Sequence, residues 1–156
     1  PAVSDLPNSL PFVAKQEPAP TMSIRLKTYQ AGSDRKRGEG LRIGTVRFLP
    51  RGVLKKNYAK ENYFDVWLPT LAPSRKLLSD MKQREKKGED WEILWPIFKA
   101  RYEREMLGNT ESRQTLLLLA KLSAQTPIAI GCYCANEKRC HRSLLHNLIR
   151  KASISR

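Results

Sequence analysis

PIAIGCYCANEKRCHRSLL, residues 127 to 145, holds all three cysteines of the chain and one of its two histidines. It opens on Pro127 to Tyr133, a short and almost wholly apolar run. A strand with one face in water alternates polar and apolar residues. A strand without polar positions must be covered on both faces, as in a mostly parallel sheet flanked by helices. Leu144, Leu145, Leu148 and Ile149 then recur at helical spacing, so the stretch runs from strand through loop to terminal helix. The expected fold class is therefore α/β: a single domain with a mostly parallel central sheet flanked by helices.

Working outward from this stretch, Ser23 to Tyr29 (SIRLKTY) alternates like a half-exposed strand, and Leu41 to Phe48 (LRIGTVRF) reads as a second strand after a charged, Gly-rich turn. Leu49 to Pro73 is expected to be mostly loop, with a short apolar element at Tyr63 to Leu68. Ser74 can cap a helix running to Lys87 and stopped by Gly88. Trp95, Phe98, Tyr102 and Met106 make the core stripe of a second helix, with Pro96 in its first turn and Gly108 as its end. A third helix, starting at Thr110 or Ser112, carries Leu116 to Leu119 and Leu122 on a wide face that suggests burial between other elements. No internal repeat is evident.

The chain's 156 residues suit one domain with a real core. With 29 Lys and Arg against 15 Asp and Glu the formal charge is +14, which suits an anionic small molecule or nucleic acid as partner, or simply a solubilising surface. No apolar run approaches the roughly 20 residues that cross a bilayer, so no membrane is expected. An odd number of cysteines fits a reducing compartment better than a disulfide framework, and a cytoplasmic location is expected. The N-terminus shows no secretory pattern. Residues 1–21 contain five of the ten prolines without helical or strand periodicity, and are expected to form a flexible or extended leader ahead of a domain at 22–156.

The chemistry-bearing residues fall at the carboxyl end of the buried strand, where open α/β sheets usually bind ligands. Alternation puts Cys132 and Cys134 on one face, while Cys140, His141 and Arg142 sit near the first turn of the terminal helix. That helix end favours anions and thiolates, so Cys140 is expected below the ordinary thiol pKa. The favoured chemical reading is a thiol and anion site with no metal and no cofactor: Cys140 or Cys132 as nucleophile or redox thiol, His141 as acid or base, Arg142 as anion anchor. Arg47 and Arg51 flank the end of a predicted strand, and would join Arg142 around the substrate if that strand lies beside PIAIGCY.

Three other readings of these residues stand beside it. A structural zinc site would use Cys132, Cys134, Cys140 and His141, although adjacent Cys140 and His141 demand an awkward backbone. A phosphatase-like loop is excluded, because no cysteine is followed by arginine at the offset such loops need. Plain packing of buried cysteines, with His141 as a cap, also remains open. Asp65 could orient an arginine, or be a satisfied loop residue.

From Met22 onward the chain resembles the YeaO-like proteins, a widespread prokaryotic group with a domain of unknown function. The resemblance lies in RIGTVRF leading into PRGV at Pro50 to Val53, in DVWLPTLAPS at Asp65 to Ser74, in W-x2-F-x2-RY-x2-EM at Trp95 to Met106, and in the Cys-x7-CHR pattern from Cys132 to Arg142. That last pattern belongs to one branch of the group, and Cys134 looks like a local addition. The resemblance implies an α/β fold and a cytoplasmic protein, and brings no established reaction. The function expected is a small cytosolic enzyme or ligand-binding protein with a thiol and anion cleft for a phosphate-bearing substrate, nucleotide or nucleic acid. The alternatives are a non-enzymatic basic nucleic-acid-binding protein and a structural zinc site at the Cys/His cluster.

Overall fold

The computed structural model describes residues 23–154, so the leader expected at residues 1–21 lies outside the described residues. The strands are β1 (Leu26–Gln30), β2 (Leu41–Gly44), β3 (Val66–Trp67) and β4 (Ile128–Cys132). All pair in parallel, in the order β1-β4-β2-β3, which puts β4 in the interior of the sheet. Every residue of β4 is buried, as a run without polar positions requires. Four helices flank the sheet: α1 (Arg75–Lys86), α2 (Trp91–Gly108), α3 (Thr110–Gln125) and α4 (His141–Ile154). The result is one α/β domain.

The helices start where short polar side chains satisfy their first N–H groups. Ser74 Oγ accepts from the Leu77 N–H at 3.1 Å, Asp90 from Glu92 at 2.9 Å and Asn109 from Glu111 at 2.8 Å. The Asp90 cap starts α2 four residues ahead of Trp95, so Pro96 sits in its second turn and not its first. Pro96 and Glu92, the residue whose carbonyl its missing N–H would have met, are both exposed. α3 starts at Thr110, one of the two expected starts, and Asn109 just before it is the cap. The expected wide apolar face of α3 is narrower in fact: Leu116 and Leu119 are buried, but Leu118 is 62% exposed.

β2 stops at Gly44, short of the expected Phe48. Thr45 still donates its N–H to the Gly131 carbonyl at 3.0 Å, but its own carbonyl faces His141, and the carbonyl of Val46 takes the Trp67 indole N–H at 2.8 Å. The bonds that would extend the ladder are diverted to side chains.

The two faces of the sheet are built differently. Ile43, Ile128 and Ile130 belong to one apolar cluster with Leu77 and Met81 of α1, Phe98 and Tyr102 of α2, Leu116 and Leu119 of α3, and Leu145 and Ile149 of α4. Each fully buried aliphatic side chain contributes roughly 1.5–3 kcal/mol. On the other face Gly131 and Gly44 lie directly beneath the rings of Tyr29 and Phe64. A Cβ on Gly131 would lie 2.2 Å from Tyr29 Cζ, so the close approach requires glycine. Among the described residues, no helix is long and apolar enough to cross a membrane.

Candidate functional site

The carboxyl ends of β2 and β4 meet the start of α4, and the elements between them fix a cluster of cysteine and histidine side chains. After β4 the chain makes a single helical turn at Glu137–Arg139, capped by Asn136, whose side chain accepts from the Lys138 N–H at 3.0 Å. Glu137 is tied back to the hydroxyl of Thr28 on β1. The turn delivers Cys140 in an ordinary extended conformation, φ −131° and ψ 142°, and His141 opens α4. No awkward backbone is needed to bring these neighbours together: Cys140 Sγ lies 3.9 Å from His141 Nδ1.

His141 is buried and its ring packs edge-on against Tyr102 at 5.5 Å. Its Nε2 lies 2.7 Å from the Thr45 carbonyl oxygen, which can only accept, so Nε2 carries the proton and Nδ1 presents a lone pair on the side of Cys140. Burial pushes the His141 pKa down to about 4, against the raising effect of the Thr45 bond, so the ring is neutral near pH 7.

All three cysteines are free, Cys132 and Cys140 buried and Cys134 exposed. Cys132 Sγ lies 3.7 Å from Cys134 Sγ, on the shared face that strand alternation dictates and far beyond the roughly 2.05 Å of a disulfide. The cluster reverses the acidity expected for Cys140. Bonds to the sulfurs of Cys132 and Cys134, then burial, push its thiol up and outweigh the helix end. Cys132 is raised to about 11, chiefly by its bond with Cys134. Cys134 is the thiol held below the usual range, because its sulfur accepts from the other two.

Arg142 is buried behind the sulfurs. Its Nη1 donates to the Cys134 carbonyl and lies 3.7 Å from Cys140 Sγ. Among the described residues its Nε is the one buried side-chain nitrogen or oxygen without a hydrogen bond.

Cys132, Cys134, Cys140 and His141 line a cavity of about 240 Å³ whose walls are Phe48, Trp91, Phe98 and Tyr133, with Arg47 and Arg139 at its sides. Arg47 spends Nε and Nη2 on the carbonyls of Pro73 and Ala72, both at 2.9 Å. Arg51 is exposed and does not line the cavity. The structure thus brings Cys132, Cys140, His141 and Arg142 together with Arg47 near them, and leaves Arg51 apart. Asp65 is satisfied by partners outside its own loop, Arg35 of the turn after β1 at 2.5 Å and the Arg42 N–H of β2 at 2.8 Å. Thr45, Trp91 and the aromatic walls were not singled out for the site from sequence. Phe98 does show in the periodicity of α2, where it reads as core.

With this geometry in place, the comparisons give the family. Residues 26–153 match the family model DUF488-N3a, described as the active DUF488-N3 subclade, and the chain belongs to that family. No curated protein and no solved structure matches the chain.

Proposed function

Starting from membership in the DUF488-N3 family, we propose that the chain is a small enzyme whose substrate is a flat, negatively charged molecule of the nucleotide class. The observation that carries this reading is the cavity: aromatic walls from Phe48, Trp91, Phe98 and Tyr133 stand over a floor of Cys132, Cys140 and His141, at the strand ends where α/β sheets take ligands. The walls suit a planar ring, the unspent part of the Arg47 fork suits a phosphate, and the floor supplies the reacting groups. Arg142 acts from behind on the sulfurs, and Arg51 serves at most as an outlying charge. The word "active" in the family's description supports a reaction rather than passive binding. The Cys-x7-CHR pattern and the shared motifs support a place in the YeaO-like branch, and three free cysteines support a reducing, cytoplasmic setting.

Trp91 gives the test its signal. Nucleoside monophosphates should quench its fluorescence saturably, more tightly than the matching nucleosides, and Trp91→Phe should remove the response. Equal affinity for nucleoside and monophosphate would remove the anion from the reading, and no saturable response would remove the cavity.

A second reading has its own observation. A separate cleft of about 280 Å³ is lined by Lys55, Lys56, Tyr58, Phe64 and Trp67 together with the Asp65 carboxylate, which Arg35 pairs, and its cations and rings suit single-stranded nucleic acid. Binding that ignores sequence, falls steeply with salt and depends on Lys55 and Lys56 but not on Cys140 would favour it.

A further inference from the structure

The floor of the cavity also has the composition and spacing of a metal centre. The donor atoms of Cys132, Cys140 and His141 all lie within 4.8 Å of one another. A tetrahedral zinc ion with Zn–S of about 2.3 Å and Zn–N of about 2.0–2.1 Å spaces its sulfurs by about 3.8 Å, and sulfur from nitrogen by about 3.6 Å. The Cys140 Sγ to His141 Nδ1 separation of 3.9 Å is within a few tenths of that edge.

The groups behind these donors are those that a metal site needs. The Thr45 carbonyl, 2.7 Å from Nε2, fixes the tautomer that frees Nδ1, and the Thr45 hydroxyl is itself anchored on the Gly131 carbonyl at 3.1 Å. Arg142 Nη1, 3.7 Å from Cys140 Sγ, supplies a positive charge beside a sulfur that must be a thiolate to bind metal. The three donors line the cavity, so a fourth coordination position would open into it.

We propose that Cys132, Cys140 and His141 bind one divalent ion of the zinc class, with the fourth position turned toward the cavity. Two thiolates and a neutral imidazole make a neutral set with such an ion, and the two thiol protons leave to solvent on binding. Three protein ligands with one open position is the pattern of catalytic rather than structural zinc, and an ion so held would polarise a bound water or substrate oxygen. Cys134, at the exposed edge and 3.7 Å from Cys132, stands beside the set without belonging to it. The inference shares its floor with the proposed substrate cavity but does not depend on which ligand enters.

Metal content and spectrum read it directly. The full chain, reduced and stripped with a chelator, should take up one cobalt(II) per chain, with a tetrahedral visible spectrum and the charge-transfer intensity of two thiolates. Zinc should displace the cobalt stoichiometrically. Cys134→Ser should keep the ion and the spectrum, whereas Cys132→Ser, shown to be folded by circular dichroism, should lose most of the affinity. If Cys132→Ser does not fold, the wild-type chain decides alone, since absence of uptake or of thiolate charge transfer overturns the site. Loss of the ion in Cys134→Ser, or the intensity of three thiolates, overturns the three-ligand form. Nucleotide quenching measured on the stripped chain keeps a failure here separate from a failure of the cavity reading.

Discussion

Two arginines are buried among the described residues, Arg42 on β2 and Arg142 in the first turn of α4, and they are treated in opposite ways. Arg42, 0% exposed on the Tyr29 face, has its guanidinium fork engaged by Glu39, the carbonyls of Ser33 and Asn62 through Nη1, and the carbonyl of Asp34 through Nη2. Its charge also lies over the Tyr29 ring, 4.3 Å from the centroid. Arg142, 3% exposed beside the cysteines, meets a carbonyl and a sulfur and leaves Nε unpartnered. A buried cation is tolerated when paired and fully bonded, and Arg42 meets that condition. A native group that falls short of it calls for an explanation, and strain, catalysis, an ordered water or an ion at the site are the usual ones. The first arginine closes a loop over the sheet; the second serves the sulfurs.

The sharpest way to break the comparison is to remove the arginine that closes its loop. Arg42→Met leaves the nearly buried Glu39 carboxylate without its partner and the carbonyls of Ser33 and Asp34 without its guanidinium donors, and should cost about 3–5 kcal/mol. A domain has only about 5–15 kcal/mol in all, so the denaturation midpoint should fall severely. A loss below 1 kcal/mol would show that water replaces the guanidinium and that the clasp is not structural.

Next in size is Gly131→Ala. Its Cβ would overlap the Tyr29 ring, which cannot slide away because its hydroxyl bonds the Tyr63 carbonyl at 2.7 Å and its face supports Arg42. Overpacking of this kind costs roughly 1–3 kcal/mol. Arg142→Met should cost less stability, about 1 kcal/mol, because the lost bonds are offset by removal of an unsatisfied Nε. Cobalt affinity should instead fall 10- to 100-fold, the usual effect of losing a group that supports a metal ligand. Equal stability losses in Arg42→Met and Arg142→Met would erase the contrast between the two arginines.

The sequence showed part of this and hid the rest for physical reasons. β4 is legible because burial on both faces removes the polar positions from IAIGC, and the Ser74 cap is legible because capping is local. The place of the cluster, strand end to helix start, follows from the same local signals. Arg42 is the opposite case. Nothing in LRIG itself marks it as interior, yet it is completely buried, because its partners come from a turn and a loop up to 20 residues away. Cys140 misleads similarly. A helix end argues for a low thiol pKa, but the sulfurs that raise it are brought there by a strand and a turn. Arg51 follows PRGV out to the surface, while Arg47 turns inward onto the carbonyls of Ala72 and Pro73, a choice set by where those carbonyls lie.

Asp65 offers the smallest effect and the finest probe of the Arg42 site. Burial by itself would raise its pKa, but the bond from Arg35, that from the Arg42 N–H and the two positive charges hold it below the usual carboxylate value. A depressed carboxylate contributes stability that is present above its unfolded pKa of about 3.9 and is lost as pH falls through the lower folded value. Asn in its place can still accept from the Arg42 N–H through its amide oxygen, so Asp65→Asn removes charge and little shape. The ion pair with Arg35 is partly exposed, which limits the expected loss to about 0.2–1 kcal/mol near neutral pH. Urea midpoints of the two proteins should therefore differ by a small, constant gap from neutral pH down to about pH 5, then converge below about pH 4 as Asp65 takes up its proton. Added salt should narrow the neutral gap, because the pair is screened. A gap that persists unchanged into acid would mean that Asp65 acts through the shape of the loop, and that the charge closing this site resides in Arg42 and Glu39 alone.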